Sequence, residues 1–373
     1  MRGTVESRGL NDFGFSITEE FVGKIRIGFV GAGSMGQAAH LQNYVTLPDC
    51  EVVALAEIRP KLAHAVAARY GVPNVYTDSA EMLKKESLDG IVASQQFMKH
   101  AAIIPPLLGK GAAVLTEKPL AGTVEAGEKI LAALRASKSK LFIAYHKRSE
   151  LATIRARQQM AAWQSSGEVG KLKFIRIAMP PGDWIAGGFI HHINTDEPYP
   201  AIADDAIPAG WDEAKFQRYI AFVNYYIHQV NLLRHLLGED YEVQYADPSG
   251  VLLSVASRSG VCGVIEMATH QTCIDWQEEA FIAFEKGWIK IELPAPLASN
   301  RPGKVTIFTD RKDAEPETVV PTLPWIHAMR NQAMNFIKAI RDEPTPLCEA
   351  AEAMKDLMIA RDYIKLMEQT TAR

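Results

Sequence analysis

The run Lys24-Ile25-Arg26-Ile27-Gly28-Phe29-Val30 leads straight into Gly31-Ala32-Gly33-Ser34-Met35-Gly36, and a helical pattern begins at once. An apolar strand that stops at a glycine-rich turn and restarts as a helix suits a dinucleotide pyrophosphate. Gly31 permits the tight turn, and Gly33 lets the backbone approach the phosphates with no Cβ in the way. Gly36 allows the new helix to pack closely on the strand, while the helix N-terminus, where Ser34 and Met35 lie, turns its free N–H groups toward the anion.

A second element supports the first. Glu51-Val52-Val53-Ala54-Leu55-Ala56 reads as a buried strand, and Glu57 ends it about 20 residues past the turn. A carboxylate there accepts the hydroxyls of the adenosine ribose and repels a 2′-phosphate. Arg59, two residues on, offers a guanidinium that a 2′-phosphate would use instead. The balance favours NAD over NADP.

At 373 residues the chain exceeds one typical core, so two domains are expected. A net charge of −4 and no basic cluster with interleaved aromatics argue against nucleic acid. No apolar run approaches the roughly 18 residues that would span a bilayer. Residues 1–23 are polar, lack an apolar signal-peptide core and read as a loose arm. Cys50, Cys262, Cys273 and Cys348 are scattered without paired spacing. That usage fits a reduced cytoplasmic protein without structural zinc.

From residue 24 to 147 short apolar strands alternate with helices, the pattern of a parallel, doubly wound Rossmann sheet. Ligands bind such a sheet at the carboxyl ends of its strands. Ser94 to Phe97, Glu117 to Pro119 and Tyr145 to Arg148 therefore line one expected crevice. Residues 148–373 change character. A strong helix over 212–237 precedes several alternating strands, which predicts an α+β domain with an open, mostly antiparallel sheet. The tail over 325–369 returns to helix, with a break at Pro344 to Pro346.

Three constellations carry chemistry. Glu117-Lys118-Pro119 follows a strand, and proline holds the residue before it extended, so Lys118 points from the sheet edge into the crevice. On the long helix, Asn224, His228, Asn231 and His235 fall at i, i+4, i+7 and i+11, a single polar stripe on an apolar helix. An internal hydrogen-bond ladder suits His235. His228 suits acid–base work, because imidazole titrates near neutral pH. The irregular stretch with Trp184, His191, His192, Asp196 and Glu197 matches no metal-ligand template and reads as a loop over the substrate pocket. Trp184 is either a stacking platform for a sugar ring or a core residue.

Together these residues resemble the glucose–fructose oxidoreductase / inositol dehydrogenase (Gfo/Idh/MocA) family over nearly the whole chain from Lys24. The resemblance rests on Gly31 to Gly36, Gly111 to Leu120, Gly167-Glu168-Val169-Gly170, the His228 helix ending Leu236-Leu237-Gly238, and Pro346 to Ala350. It implies a Rossmann domain followed by a substrate domain whose sheet forms oligomer interfaces, hence a homodimer or homotetramer. It also implies an NAD(H)-dependent oxidoreductase acting on a hydroxyl-bearing carbon of a sugar, polyol or related compound. Lys118 would position and polarise the reacting oxygen, and His228 would be the acid–base group with Asn224 beside it. Gln95, His100 and Glu117 join the cofactor set, and Arg148 and Trp184 the substrate set. The family's aspartates around its histidine are Asn224 and Asn231 here, its Thr-Pro-Asn is Gln95-Gln96-Phe97, and its triple glycine is Ala221-Phe222-Val223. These departures leave open a glycoside-cleaving enzyme that uses transient oxidation by bound NAD, and a non-catalytic NAD-binding regulator.

Overall fold

The computed structural model describes residues 23–199 and 201–371; nearly all of the expected N-terminal arm lies outside them. The first sheet contains β1 (Ile25–Val30), β2 (Cys50–Ala56), β3 (Asn74–Tyr76), β4 (Gly90–Ala93), β5 (Ala113–Thr116) and β6 (Leu141–Ile143). Its order is β6-β5-β4-β1-β2-β3, with every pairing among these strands parallel. Chain order reverses between β1 and β4, so a crevice opens at their carboxyl ends. Ile27 and Phe29 face one core, with Leu62 and Val66 of the helix Pro60–Tyr70, while Val30 and Val114 face the other. Burial on both faces is why these strands read as near-continuous apolar runs.

The helices, in chain order, are α1 (Gln42–Tyr44), α2 (Pro60–Tyr70), α3 (Ser79–Lys85), α4 (His100–Leu107), α5 (Val124–Arg135), α6 (Leu151–Ser166), α7 (Glu213–Leu237), α8 (Ala328–Ile340) and α9 (Ala350–Thr371). The second sheet contains β7 (Leu172–Ala178), β8 (Tyr241–Ala246), β9 (Leu252–Ser257), β10 (Cys262–Glu266), β11 (Glu279–Phe284), β12 (Gly287–Glu292), β13 (Lys304–Thr309) and β14 (Glu317–Val319). Its order is β14-β13-β12-β11-β7-β10-β9-β8, antiparallel except for the parallel β7–β10 pair. A parallel Rossmann sheet followed by a mostly antiparallel one is the fold class expected from sequence.

The two sheets share material. One core runs from Val114 and Ile143 of the first sheet through Tyr145 and Ile227 to Ile175 and Ile282 of the second. Late residues also return to the first sheet. The edge strand β15 (Cys348–Glu349) pairs antiparallel with β6. Phe336 of α8 packs edge-on against Tyr44 and Phe142, at ring-centroid distances of 6.4 and 6.3 Å. Gly90 makes room for this: a Cβ there would lie 2.6 Å from Ile340 and 2.9 Å from Ile27.

Candidate active site

The turn after β1 is built as its glycines require. Gly31 has φ +91°, and a Cβ on it would lie 2.2 Å from the Gln95 side chain and 2.5 Å from the Ser94 carbonyl. Gly33 faces open space, whereas a Cβ on Gly36 would meet the Gly31 carbonyl at 2.8 Å. Gly36 therefore serves packing and does not line the cavity, a correction to its expected place among the cofactor contacts. Gln95 donates to the Val30 carbonyl at 3.1 Å, which ties the ends of β1 and β4 together.

Glu57 is buried, and its carboxylate accepts the Ala32 amide at 2.8 Å. Arg59 folds back on it, donating from its main chain at 3.1 Å and from its guanidinium at 2.8 and 3.1 Å. The Arg59 guanidinium also lies 4.9 Å from the Tyr199 ring centroid. Four donors fill the roughly four lone-pair positions of a carboxylate. Ribose hydroxyls reach Glu57 only when Arg59 yields its place.

A cavity of about 710 Å³ runs from this turn to α7. Gly31, Gly33, Ser34, Met35, Glu57, Arg59, Gln95, Glu117, Lys118, Trp184, Asn224 and His228 all line it. A backbone turn with open space at Gly33 and a carboxylate at the next strand end fits a dinucleotide. Those residues would hold its pyrophosphate and adenosine ribose.

At the other end, Lys118 donates from Nζ to the Asn224 main-chain oxygen at 2.6 Å. The Asn224 side chain is exposed, so this residue reaches Lys118 through its backbone rather than through an amide beside His228. Burial pushes the Lys118 pKa down and the nearby charge of Lys147 adds to that, against Glu117. Glu117 is buried against His40, whose Nε2 lies 2.7 Å from its carboxylate, and it accepts the Lys118 amide at 3.1 Å. Burial opposes ionisation of Glu117, yet the contacts with His40 and Lys118 outweigh it and hold the carboxyl below its ordinary range. His40, 77 residues away along the chain, carried no sequence signal for this role.

His228 stands edge-on to His146 at 4.6 Å and to Tyr145 at 5.6 Å between ring centroids. Its Nδ1 is enclosed and has no hydrogen-bond partner among the described residues. Burial, then His146, Lys118 and Lys147, hold its pKa well below 6.5. Lys147 is ion-paired with buried Glu278, to which Gln229 also donates at 2.7 Å. His146, Lys147, Gln229 and Trp276 line the cavity too. Sequence position placed His146 and Lys147 at a strand's carboxyl end; Gln229, Trp276 and Glu278 gave no such signal.

Two expected contacts lie elsewhere. His100 is buried beside the cavity wall, its ring within 3.1–3.3 Å of the Pro119, Leu120 and Gln95 carbonyls, so it braces two loops. Arg148 donates to the Pro346 carbonyl at 2.7 Å and pairs with Glu352 at 2.7 Å, away from the cavity. Of the short turn His146–Ser149, His146 and Lys147 line the cavity and Arg148 does not. The polar stripe on α7 is not a ladder either. Asn231 donates to Asp356 at 2.7 Å, and His235 Nε2 is enclosed without a partner among the described residues.

From the irregular segment after β7, Trp184, Tyr199, Ile202 and Asp204 line the cavity. Glu197 accepts the Lys61 and Leu62 amides at 2.9 Å each, capping the N-terminus of α2 from a distance. Asp196 pairs with Lys61 at 3.1 Å, Asp204 with Lys99 at 2.7 Å, and Asp205 accepts the Gly122 amide at 2.9 Å. Trp184 meets Phe189 edge-on at 5.6 Å inside this segment. Among the described residues no helix is long and apolar enough to cross a membrane.

Residues 25–145 match the model of an oxidoreductase family with an NAD-binding Rossmann fold. An inositol 2-dehydrogenase of Ralstonia nicotianae is 27% identical over 308 residues, covering 78% of this chain and 81% of that one. A putative NADPH-dependent oxidoreductase from Desulfitobacterium hafniense superposes with a TM-score of 0.72 at 13% identity, covering 93% of this chain and 96% of that one. A levoglucosan dehydrogenase in complex with NADH gives 0.70 at 18% identity, covering 93% and 98%.

Proposed function

The chain belongs to the Gfo/Idh/MocA family of oxidoreductases, and from that premise we propose an NAD(H)-dependent dehydrogenase acting on a ring hydroxyl of a sugar, polyol or sugar derivative. The observation that carries this reading is a single cavity with Gly31, Gly33 and Glu57 at one end and Lys118 and His228 at the other. When bound, the nicotinamide supplies the acceptor or donor of a hydride.

Lys118 is the catalytic cation. Its ammonium, fixed by the Asn224 carbonyl, stabilises negative charge that develops on the substrate oxygen, and a half-buried site strengthens that interaction. Glu117 with His40 fixes the turn that presents it. His228 hydrogen-bonds the same hydroxyl as a neutral imidazole. Trp276, Gln229 and the Lys147–Glu278 pair offer both apolar surface and polar groups to a polyhydroxylated ring.

NAD rather than NADP is the preferred cofactor, because the buried Glu57 carboxylate follows β2 where the adenosine ribose would lie and would repel a 2′-phosphate. Incubating the protein with NAD and a panel of inositols, sugars and 1,6-anhydrosugars, while following NADH absorbance, tests the reading. NADH formation with at least one ring polyol is expected. Tight NAD binding with no reduction across the panel would instead favour a nucleotide-binding regulator.

A further inference from the structure

The chain between β7 and α7 is fastened to the nucleotide end in two places that take no part in the chemistry above. On the β1–β2 side the anchor is Gln37, fully buried just past the glycine-rich turn. Its Nε2 donates to the Ala32 carbonyl of that turn at 2.7 Å and to the Ile193 carbonyl at 2.9 Å, and its Oε1 accepts the Ile193 amide at 2.8 Å. Glu197, which caps α2, is held in turn by the Thr195 hydroxyl at 2.9 Å. On the β4–β5 side, Lys99 donates to the Ile202 carbonyl at 2.7 Å, and the Asp205 amide donates to the Met98 carbonyl at 2.7 Å. Gly122, whose amide Asp205 accepts, has no room for a side chain: a Cβ there would run into Met98 and lie 2.9 Å from the Asp205 carboxylate.

The sheet order puts these two sets of anchors on opposite sides of the β1–β4 crevice. The chain that joins them therefore bridges the crevice at the strands' carboxyl ends, which is why Tyr199, Ile202 and Asp204 line the cavity. Arg59 ties this bridge to the cofactor site. Its guanidinium has two partners, the Glu57 carboxylate and the Tyr199 ring at 4.9 Å. Ribose hydroxyls compete for the first, and a guanidinium displaced from Glu57 keeps the second. The Tyr199 ring is 64% exposed, so it retains apolar surface to offer a nucleotide.

We propose that residues 193–205 form a clasp on the adenosine half of the dinucleotide, with Tyr199 as a cofactor-binding residue supplied by the second half of the chain. This rests on the cofactor reading above. A nucleotide lying between the glycine-rich turn and the clasp leaves only when the anchors on one side open, so the clasp sets the rate of cofactor exchange. Cofactor and clasp also favour each other. A ribose that frees Arg59 from Glu57 gives the guanidinium wholly to Tyr199, and a closed clasp in turn holds Arg59 off the ribose site. Hydride transfer at the far end of the cavity is not the clasp's concern.

Release of NADH from the loaded protein, followed by its fluorescence during a chase with excess NAD, tests the clasp apart from turnover. Glu197→Ala and Asp205→Ala, which cut one anchor on each side, and Tyr199→Ala should each release NADH about tenfold faster than wild type. Tyr199→Phe keeps the ring and should stay within about twofold of wild type. Asp196→Ala, which loses only an exposed ion pair with Lys61, should do the same. Wild-type release rates in both anchor variants, or a Tyr199→Phe as fast as Tyr199→Ala, would overturn the proposal. If Glu197→Ala loses its circular-dichroism spectrum, Glu197→Gln carries the same comparison. Hydrogen exchange at the Lys61 and Leu62 amides, which Glu197 accepts, reads the coupling directly. Bound NAD should slow that exchange by about tenfold or more, and unchanged exchange would overturn the proposal. Anchor-dependent release in a protein that oxidises no polyol keeps the clasp and removes the dehydrogenase reading; polyol oxidation with anchor-independent release does the reverse.

Discussion

The two ends of the long cavity are made in different ways. At the nucleotide end the contacts are main-chain turns and strand ends within residues 31–95, and glycine geometry does most of the shaping. At the substrate end, Lys118, His146, Lys147, His228 and Trp276 are side chains gathered from distant segments onto one wall. The first end recognises what every dinucleotide has, a pyrophosphate and a ribose. The second is assembled by tertiary packing, so it is where one protein differs from another in substrate and proton route. Chemistry and cofactor capture should therefore separate under mutation.

Lys118→Met should give the largest effect, a fall in kcat of about 10²–10³-fold with the Kd for NAD nearly unchanged. Titration calorimetry beside steady-state rates reads both, and a matching loss of NAD affinity would mean the ends are not independent. Gly31→Ala should do the reverse. A residue at φ +91° with a Cβ 2.2 Å from Gln95 must shift the turn. About tenfold weaker NAD binding, near 1.4 kcal/mol, is expected, with kcat at saturating NAD within about threefold.

The pH profile sharpens the substrate end. Burial, followed by neighbouring cations, lowers the pKa values of both His146 and His228. A base with a lowered pKa stays unprotonated to lower pH, so the acid limb of kcat/KM for oxidation should lie below pH 6.5. A limb at or above pH 7 would show that a different group accepts the proton. The smallest change should come from Asn224→Ala, within about threefold in kcat, because Lys118 uses a carbonyl oxygen that alanine retains. A large loss there would assign the exposed amide to the substrate.

What is local in the fold is legible in the sequence. Gly31, Gly33, Glu57 and Lys118 are placed by strand ends, and strand ends follow from periodicity, which also gave both sheets. Short elements such as β3 and the β15 pairing escaped it, since two or three residues carry no period. Choosing among Tyr145 to Arg148 failed for a related reason: in a tight turn, direction is decided by packing, and the carboxylate of Glu352 drew Arg148 away. The Glu278 partner of Lys147 lies 131 residues along the chain and the His40 partner of Glu117 lies 77, separations that no motif encodes.

The return of α8 and β15 to the first sheet bears on synthesis. A chain emerging from the ribosome at about 5–20 residues per second exposes the face that Phe336 covers, and the β6 edge that β15 pairs with, for about 10–40 seconds after residue 147 has appeared. Until then the nucleotide end exists as an unfinished layer with an open strand edge, the kind of surface that invites wrong pairing. Shielding of nascent chains during that interval should therefore matter more to the yield of this protein than its sequence-contiguous Rossmann pattern suggests.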